Sequence, residues 1–64
     1  MKATDISEKW QHRSDAELRA QQLSAQHKIK VYVISSKNLF FIESDATLRY
    51  RESIIATYKN GDLI

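Results

Sequence analysis

The chain has 64 residues, 42% hydrophobic and 28% charged, and its ten lysines and arginines against eight acids give a formal charge of +2. A chain of this length forms one domain. It contains no cysteine, which excludes a disulfide scaffold and a cysteine-ligated metal site. No apolar run approaches the ~20 residues that span a bilayer, and the polar residues after Met1 lack a signal-peptide core. We therefore expect a cytoplasmic protein with no membrane partner.

Residues 1–13 form a polar leader in which Ile6 and Trp10 are the only large apolar side chains after Met1. Their i, i+4 spacing would place both on one face of a short helix. Chain ends also fray commonly. We predict a leader that is partly helical or frayed, followed by a single α+β domain over residues 14–64.

The sequence from Ser14 to Glu17 matches a capping box, in which each residue satisfies a backbone amide of the other. This pattern predicts a helix that begins at Ser14. At 100° per residue, one narrow stripe of this helix contains Ala16, Ala20, Leu23 and His27. The helix is expected to end near Lys28, because cations suit its C-terminus.

A period of two begins at residue 29 and predicts a β-hairpin over 29–43. The first strand alternates Ile29, Val31 and Val33 with Lys30, Tyr32 and Ile34. A turn is expected within residues 35–38, and the second strand covers 39–43.

Residues 44–64 allow two interpretations. Alternating apolar residues and the turn dipeptide Asn60-Gly61 favour a strand at about 52–59, preceded by a loop or an irregular strand at 45–51. The fold is then α-β-β-β, with one helix packed on a three-stranded antiparallel meander. A second helix, capped by Ser44 or Asp45 and ended by Gly61, would instead give α-β-β-α. Both interpretations belong to the α+β class.

The predicted hairpin is apolar on both faces, whereas one helix covers only one of them. A core of this size rarely supplies more than ~3–5 kcal/mol without disulfides, metal or assembly. We therefore expect self-association, as a homodimer, or a protein partner, through an exposed sheet face or an edge strand near Ile54–Lys59. The candidate surface residues are Trp10, Tyr32, Ile34, Phe40, Ile42 and Tyr50. Alternatively, the leader with Trp10 or residues 45–51 fold over the second face, and the protein is then a monomer.

Chemistry-bearing motifs point away from an enzyme. His12 and His27 lack the spacing of a helical metal pair, and no glycine-rich phosphate loop or serine elbow is present. We predict no catalytic residue, no metal site and no cofactor. The leading hypothesis is a small protein-interaction module, of a size typical of small bacterial or phage proteins.

The second hypothesis is weak nucleic-acid binding by the segment around Tyr50. Its ring would stack on a base, while Arg49, Arg51 and Lys59 contact phosphates. The surplus of basic over acidic residues is only two, and affinity for nucleic acid depends mainly on uncompensated charge. This hypothesis therefore ranks below a protein interaction.

Overall fold

The computed structural model describes residues 4–49 and 51–64, which form one helix and a five-stranded antiparallel sheet of order β1-β3-β2-β4-β5. The elements are β1 (Ser7–Trp10), α1 (Arg13–His27), β2 (Lys30–Ser36), β3 (Leu39–Ser44), a 3-10 turn (Arg51–Ser53), β4 (Ile54–Lys59) and β5 (Asp62–Leu63). The α+β class, with one helix packed on an antiparallel sheet, is confirmed. The sheet has two more strands than predicted, and the α-β-β-α alternative is wrong because residues 54–59 form a strand.

The leader contributes an edge strand rather than a short helix, because the main chain around Ile6 is held by residues far along the sequence. The Ile6 amide donates to Ser44 Oγ at 3.1 Å, and the Ser44 amide donates to the Ile6 carbonyl at 3.2 Å. The Thr47 hydroxyl also donates to that carbonyl. These bonds direct the following residues along β3, so β1 is part of the sheet.

Helix α1 begins at Arg13, and the predicted capping box does not form. The N-cap residue is His12, which makes no side-chain capping bond. The Glu17 carboxylate instead accepts from Arg13 Nε at 2.8 Å, since an i, i+4 arginine offers a charged donor. The predicted C-terminus is confirmed: the helix ends at His27, and Lys28 adopts a left-handed conformation with φ 57°.

The predicted helix stripe lies against the sheet, except at its last residue. Ala16, Ala20 and Leu23 are buried, while His27 is exposed. The core beneath the helix contains these three residues with Ile6, Val31, Val33 and Ile42. Two of the three core residues from the helix are alanines, so the sheet side chains supply most of the apolar volume.

The predicted hairpin is confirmed as β2 and β3, which pair from Val31 opposite Ser44 to Ser36 opposite Leu39. A two-residue turn joins them, with φ 51° at Lys37 and 64° at Asn38. Positive φ at both central residues is the geometry that matches the twist of a hairpin.

A bulge in β4 changes which of its side chains face the helix. Val33 pairs with Ala56 but Ile34 pairs with Ile54, so Ile55 is an extra residue on the β4 side. Ala56 therefore contacts the core under α1, whereas Ile54 lies on the opposite face with Ile34. Simple alternation places residues 54 and 56 on one face and misses this change.

The predicted Asn60-Gly61 turn is confirmed, with φ 54° and 86°. Side chains of α1 hold it in place: the Gly61 amide donates to Ser24 Oγ at 2.9 Å, and Gln21 Nε2 donates to the Gly61 carbonyl at 2.9 Å. The β4–β5 hairpin is thereby attached to the helix at its turn.

Replacing Gly61 by alanine is expected to destabilise the fold by about 1–2 kcal/mol, because residue 61 has positive φ. A Cβ there would also lie 3.1 Å from the Cβ of Ala25. Urea unfolding monitored by circular dichroism measures the loss. The control Asn60→Gly keeps the turn and should change the free energy of unfolding by less than about 0.5 kcal/mol. Equal stability of Gly61→Ala and the wild-type protein would contradict this account.

Candidate functional site at the outer sheet face and the β4–β5 edge

The predicted surface residues do not share one surface. Three of them contact the core on the helix side: Trp10, Phe40 and Ile42. Strand pairing explains this, because Trp10 lies opposite Phe40 and Ile42 lies opposite Val33. Tyr32 and Ile34 instead lie on the sheet face opposite α1, called the outer face below. Ile42 and Ile34 are both fully buried, so neither is available to a partner.

The outer face is partly covered by residues 45–49 and 51–53, called the covering segment. Its 3-10 turn contacts β2, and Ile34 on that strand is fully buried. Asp45 Oδ1 accepts from the Tyr32 hydroxyl at 2.6 Å. The Arg49 amide donates to Oε1 of Glu43, whose residue is only 2% exposed. This arrangement matches the alternative in which residues 45–51 cover the second face.

Tyr32 is the outer-face residue whose protonation the covering segment affects. The hydrogen bond to Asp45 raises the pKa of Tyr32, with smaller contributions from burial and from the Asp45 charge. The Arg51 charge acts in the opposite direction on this pKa. On the helix side, burial and then the Glu17 charge raise the pKa of Tyr58, which Asp45 does not affect.

The predicted phosphate-binding residues are only partly brought together. Arg49 and Arg51 line an open groove of about 380 Å³ in the covering segment, with Leu48, Glu52 and Ser53. Neither guanidinium forms an ion pair with any carboxylate of residues 4–49 and 51–64. Lys59 does not line the groove; it lies on β4, between Lys30 and Asp62 of the flanking strands. Tyr50 lies outside the described residues.

In residues 4–49 and 51–64, no group of three or more histidine, cysteine, aspartate or glutamate residues could hold a metal ion. Helix α1 has 15 residues, and no helix in the described part of the chain has the length and apolar character to cross a membrane.

The two edges of the sheet differ in charge. The β1 edge carries Glu8 and Lys9. The Arg19 guanidinium donates to Glu8 at 3.1 and 3.2 Å, and Trp10 Nε1 donates to the same carboxylate at 3.1 Å. Charged side chains on an edge strand oppose pairing with another chain. The β1 edge is therefore protected.

The opposite edge is incompletely paired. Strand β5 pairs with Tyr58 and Lys59, and the Ile64 amide donates to the Thr57 carbonyl at 2.9 Å. On the N-terminal side of Thr57, no strand within the described ranges lies beside Ile54–Ala56 on the side of β4 that faces away from β2. These three residues carry no charge. The unpaired stretch is called the β4 gap.

Exposed apolar side chains lie on β4, β5 and helix α1. Within residues 4–49 and 51–64, the exposed large hydrophobic residues are Leu18 (57%), Ile55 (38%), Leu63 (66%) and Ile64 (68%), called the edge patch. Leu18 lies three residues before Gln21, whose side chain donates to the Gly61 carbonyl, so Leu18 shares the side of α1 that faces the β4–β5 turn. Ile55 lies within the predicted edge strand near Ile54–Lys59, whereas Leu18, Leu63 and Ile64 are not among the predicted surface residues. For Leu18 the available signal is an apolar side chain outside the stripe of Ala16, Ala20, Leu23 and His27.

No protein-family model, curated protein or solved structure matches the chain. Functional inference therefore depends on the outer face, the groove and the β4–β5 edge.

The hydrogen bond between Tyr32 and Asp45 is tested by replacing Asp45 with asparagine. Removing the charged acceptor should lower the pKa of Tyr32 towards the usual value of about 10. The pKa of Tyr32 is higher in the folded protein than in the unfolded chain. The hydrogen bond therefore contributes its full stabilisation at pH values below the pKa of the unfolded chain, and this stabilisation is lost as the pH rises through the pKa of the folded protein. An NMR titration of the tyrosine ring carbons measures the pKa, and urea unfolding at several pH values measures the change in stability. Tyr58 serves as the internal control, and an unchanged pKa of Tyr32 in Asp45→Asn would contradict this assignment.

Proposed function

We propose that this protein is a small cytoplasmic protein-interaction module, without enzymatic activity, that binds an extended protein strand along the β4–β5 edge. The observation that carries the proposal is the β4 gap: Ile54–Ala56 are unpaired on this side within residues 4–49 and 51–64. They are uncharged and lie beside the exposed apolar side chains of the edge patch. The β1 edge, with Glu8 and Lys9, offers no comparable surface.

An incoming strand would occupy the β4 gap in line with β5. Its backbone amides and carbonyls would extend the antiparallel ladder, which supplies affinity without requiring a particular sequence. Its alternate apolar side chains would cover parts of Ile55 and Ile64 that are now in water. The outer face supports binding less well, because Ile34 is already buried and the Tyr32 hydroxyl is bonded to Asp45.

A peptide of alternating valine and threonine, flanked by lysines, tests strand addition. Added to ¹⁵N-labelled protein, it should shift amide resonances of β4 and β5 and slow hydrogen exchange at Ile54–Ala56. Replacing Ile55 with lysine should weaken binding by about tenfold or more, since an edge lysine opposes pairing. The control Ser7→Lys puts the same charge on the β1 edge and should leave binding unchanged. Shifts confined to β1, or no shifts at all in a protein that is monomeric at the concentration of the titration, would exclude this function.

The groove in the covering segment supports a second candidate, weak binding of nucleic acid. The observation in its favour is that the guanidinium groups of Arg49 and Arg51 form no ion pair with carboxylates of the described residues. Both line one open groove, together with the Ser53 side chain. Two such groups would contact phosphate oxygens of a single strand.

Fluorescence anisotropy with mixed-sequence single-stranded RNA and DNA tests this candidate. Two phosphate contacts should reduce the affinity about sevenfold between ~50 and ~200 mM salt. Replacing Arg49 and Arg51 together with alanine should abolish the salt-dependent binding. The control Lys9→Ala removes one positive charge from the β1 edge and should have little effect. Absence of binding at the lower salt concentration would eliminate nucleic acid as the ligand.

A further inference from the structure

We infer that the strand that fills the β4 gap is β4 of a second copy of this chain, related to the first by a two-fold axis near Ile55. This inference rests on the proposed strand addition and names its partner. The two sheets would then form one continuous ten-stranded sheet, because each copy contributes five strands.

The symmetry of the edge permits this pairing. Two identical strands that run antiparallel are related by a two-fold axis, so one surface serves both copies. With the axis at Ile55, Ile54 of each copy lies opposite the partner's Ala56. Pairing is limited to three residues on each side, because Ile64 already bonds to Thr57. The contact is therefore short, and its stability must come mainly from the adjoining side chains.

The residues of the gap suit contact with their own copy. In two-fold pairing, a charged residue near the axis would meet the same charge on the partner, which is unfavourable. The stretch from Ile54 to Tyr58 contains no charged residue. The first charge, on Lys59, lies opposite Asp62 of the same copy. Self-pairing thus meets no like-charge repulsion along β4.

The edge patch supplies the apolar contact that a short ladder needs. Leu18, Ile55, Leu63 and Ile64 would be repeated on both sides of the axis and would lose exposed apolar surface together. The smallest stable interfaces bury about 600 Å² per partner. This area is about 13% of the 4562 Å² exposed by one copy. Small chains without disulfides commonly gain stability in this way.

A charge-swap experiment tests the inference. The molar mass is measured by light scattering coupled to size exclusion, at protein concentrations from micromolar to millimolar. The wild-type mass should rise with concentration to twice that of one chain. Ile55→Lys and Ile55→Glu should each remain monomeric, because like charges would meet at the axis. An equimolar mixture of these two variants should recover the double mass. Circular dichroism of each variant verifies that it is folded.

A matched control places the same charges on the other edge. Ser7→Lys and Ser7→Glu should retain the wild-type concentration dependence, because β1 lies away from the axis. A wild-type protein that stays monomeric over the whole range overturns the second-copy inference. Three further results would also overturn it. They are a dimer that persists in both Ile55 variants, a dimer that dissociates in the Ser7 variants, and a mixture of the two Ile55 variants that stays monomeric.

The peptide titration separates this inference from the proposed function. A monomeric protein whose β4 and β5 resonances shift with the peptide still binds strands, and only the identity of the partner is then wrong. A monomeric protein that ignores the peptide overturns both.

Discussion

The central strand β2 is apolar on both faces, and the structure is organised around covering it. Val31 and Val33 face the helix and Ile34 faces away, and all three are fully buried. One helix covers one side of a sheet, so the other side requires a second cover. The covering segment supplies it, and it is tied to the outer face through Glu43 and Tyr32. With both sides of β2 covered in this way, the apolar surface left in water lies at the edge of the sheet.

Buried polar side chains position the segments that periodicity leaves undefined. Ser24 links the helix to the β4–β5 turn, Ser44 holds the main chain before β1, and Glu43 holds the amide of Arg49. Each of the three is at most 2% exposed. No buried side-chain nitrogen or oxygen in the described part of the chain lacks a hydrogen-bond partner. Unpaired polar groups are costly in an apolar interior, so these bonds favour one arrangement of the turns over others.

The two edges of the sheet differ in how readily another strand could pair with them: the β1 edge is protected by charge and the β4–β5 edge is open. The Glu8 carboxylate of β1 is bonded to Arg19 and Trp10, whereas β4 has three residues without charge that are unpaired on its outer side within the described ranges. Exposed backbone polar groups are templates for another strand. An open apolar edge on a chain of this length is a liability unless another strand covers it, and the proposed strand addition would supply that cover.

The helix, the central hairpin and the Asn60-Gly61 turn were predictable from the sequence, because each arises from local periodicity or from residues that accept positive φ. Of the site, the edge near Ile54–Lys59, the pair of Arg49 and Arg51 and the cover over the second face were identified in advance. Strand β1, the bulge at Ile55 and the burial of Ile34 were decided by tertiary structure. Each depends on contacts between distant positions, such as Ile6 with Ser44, which are 38 residues apart. Such pairing decides which face a residue occupies, and no local pattern contains that information.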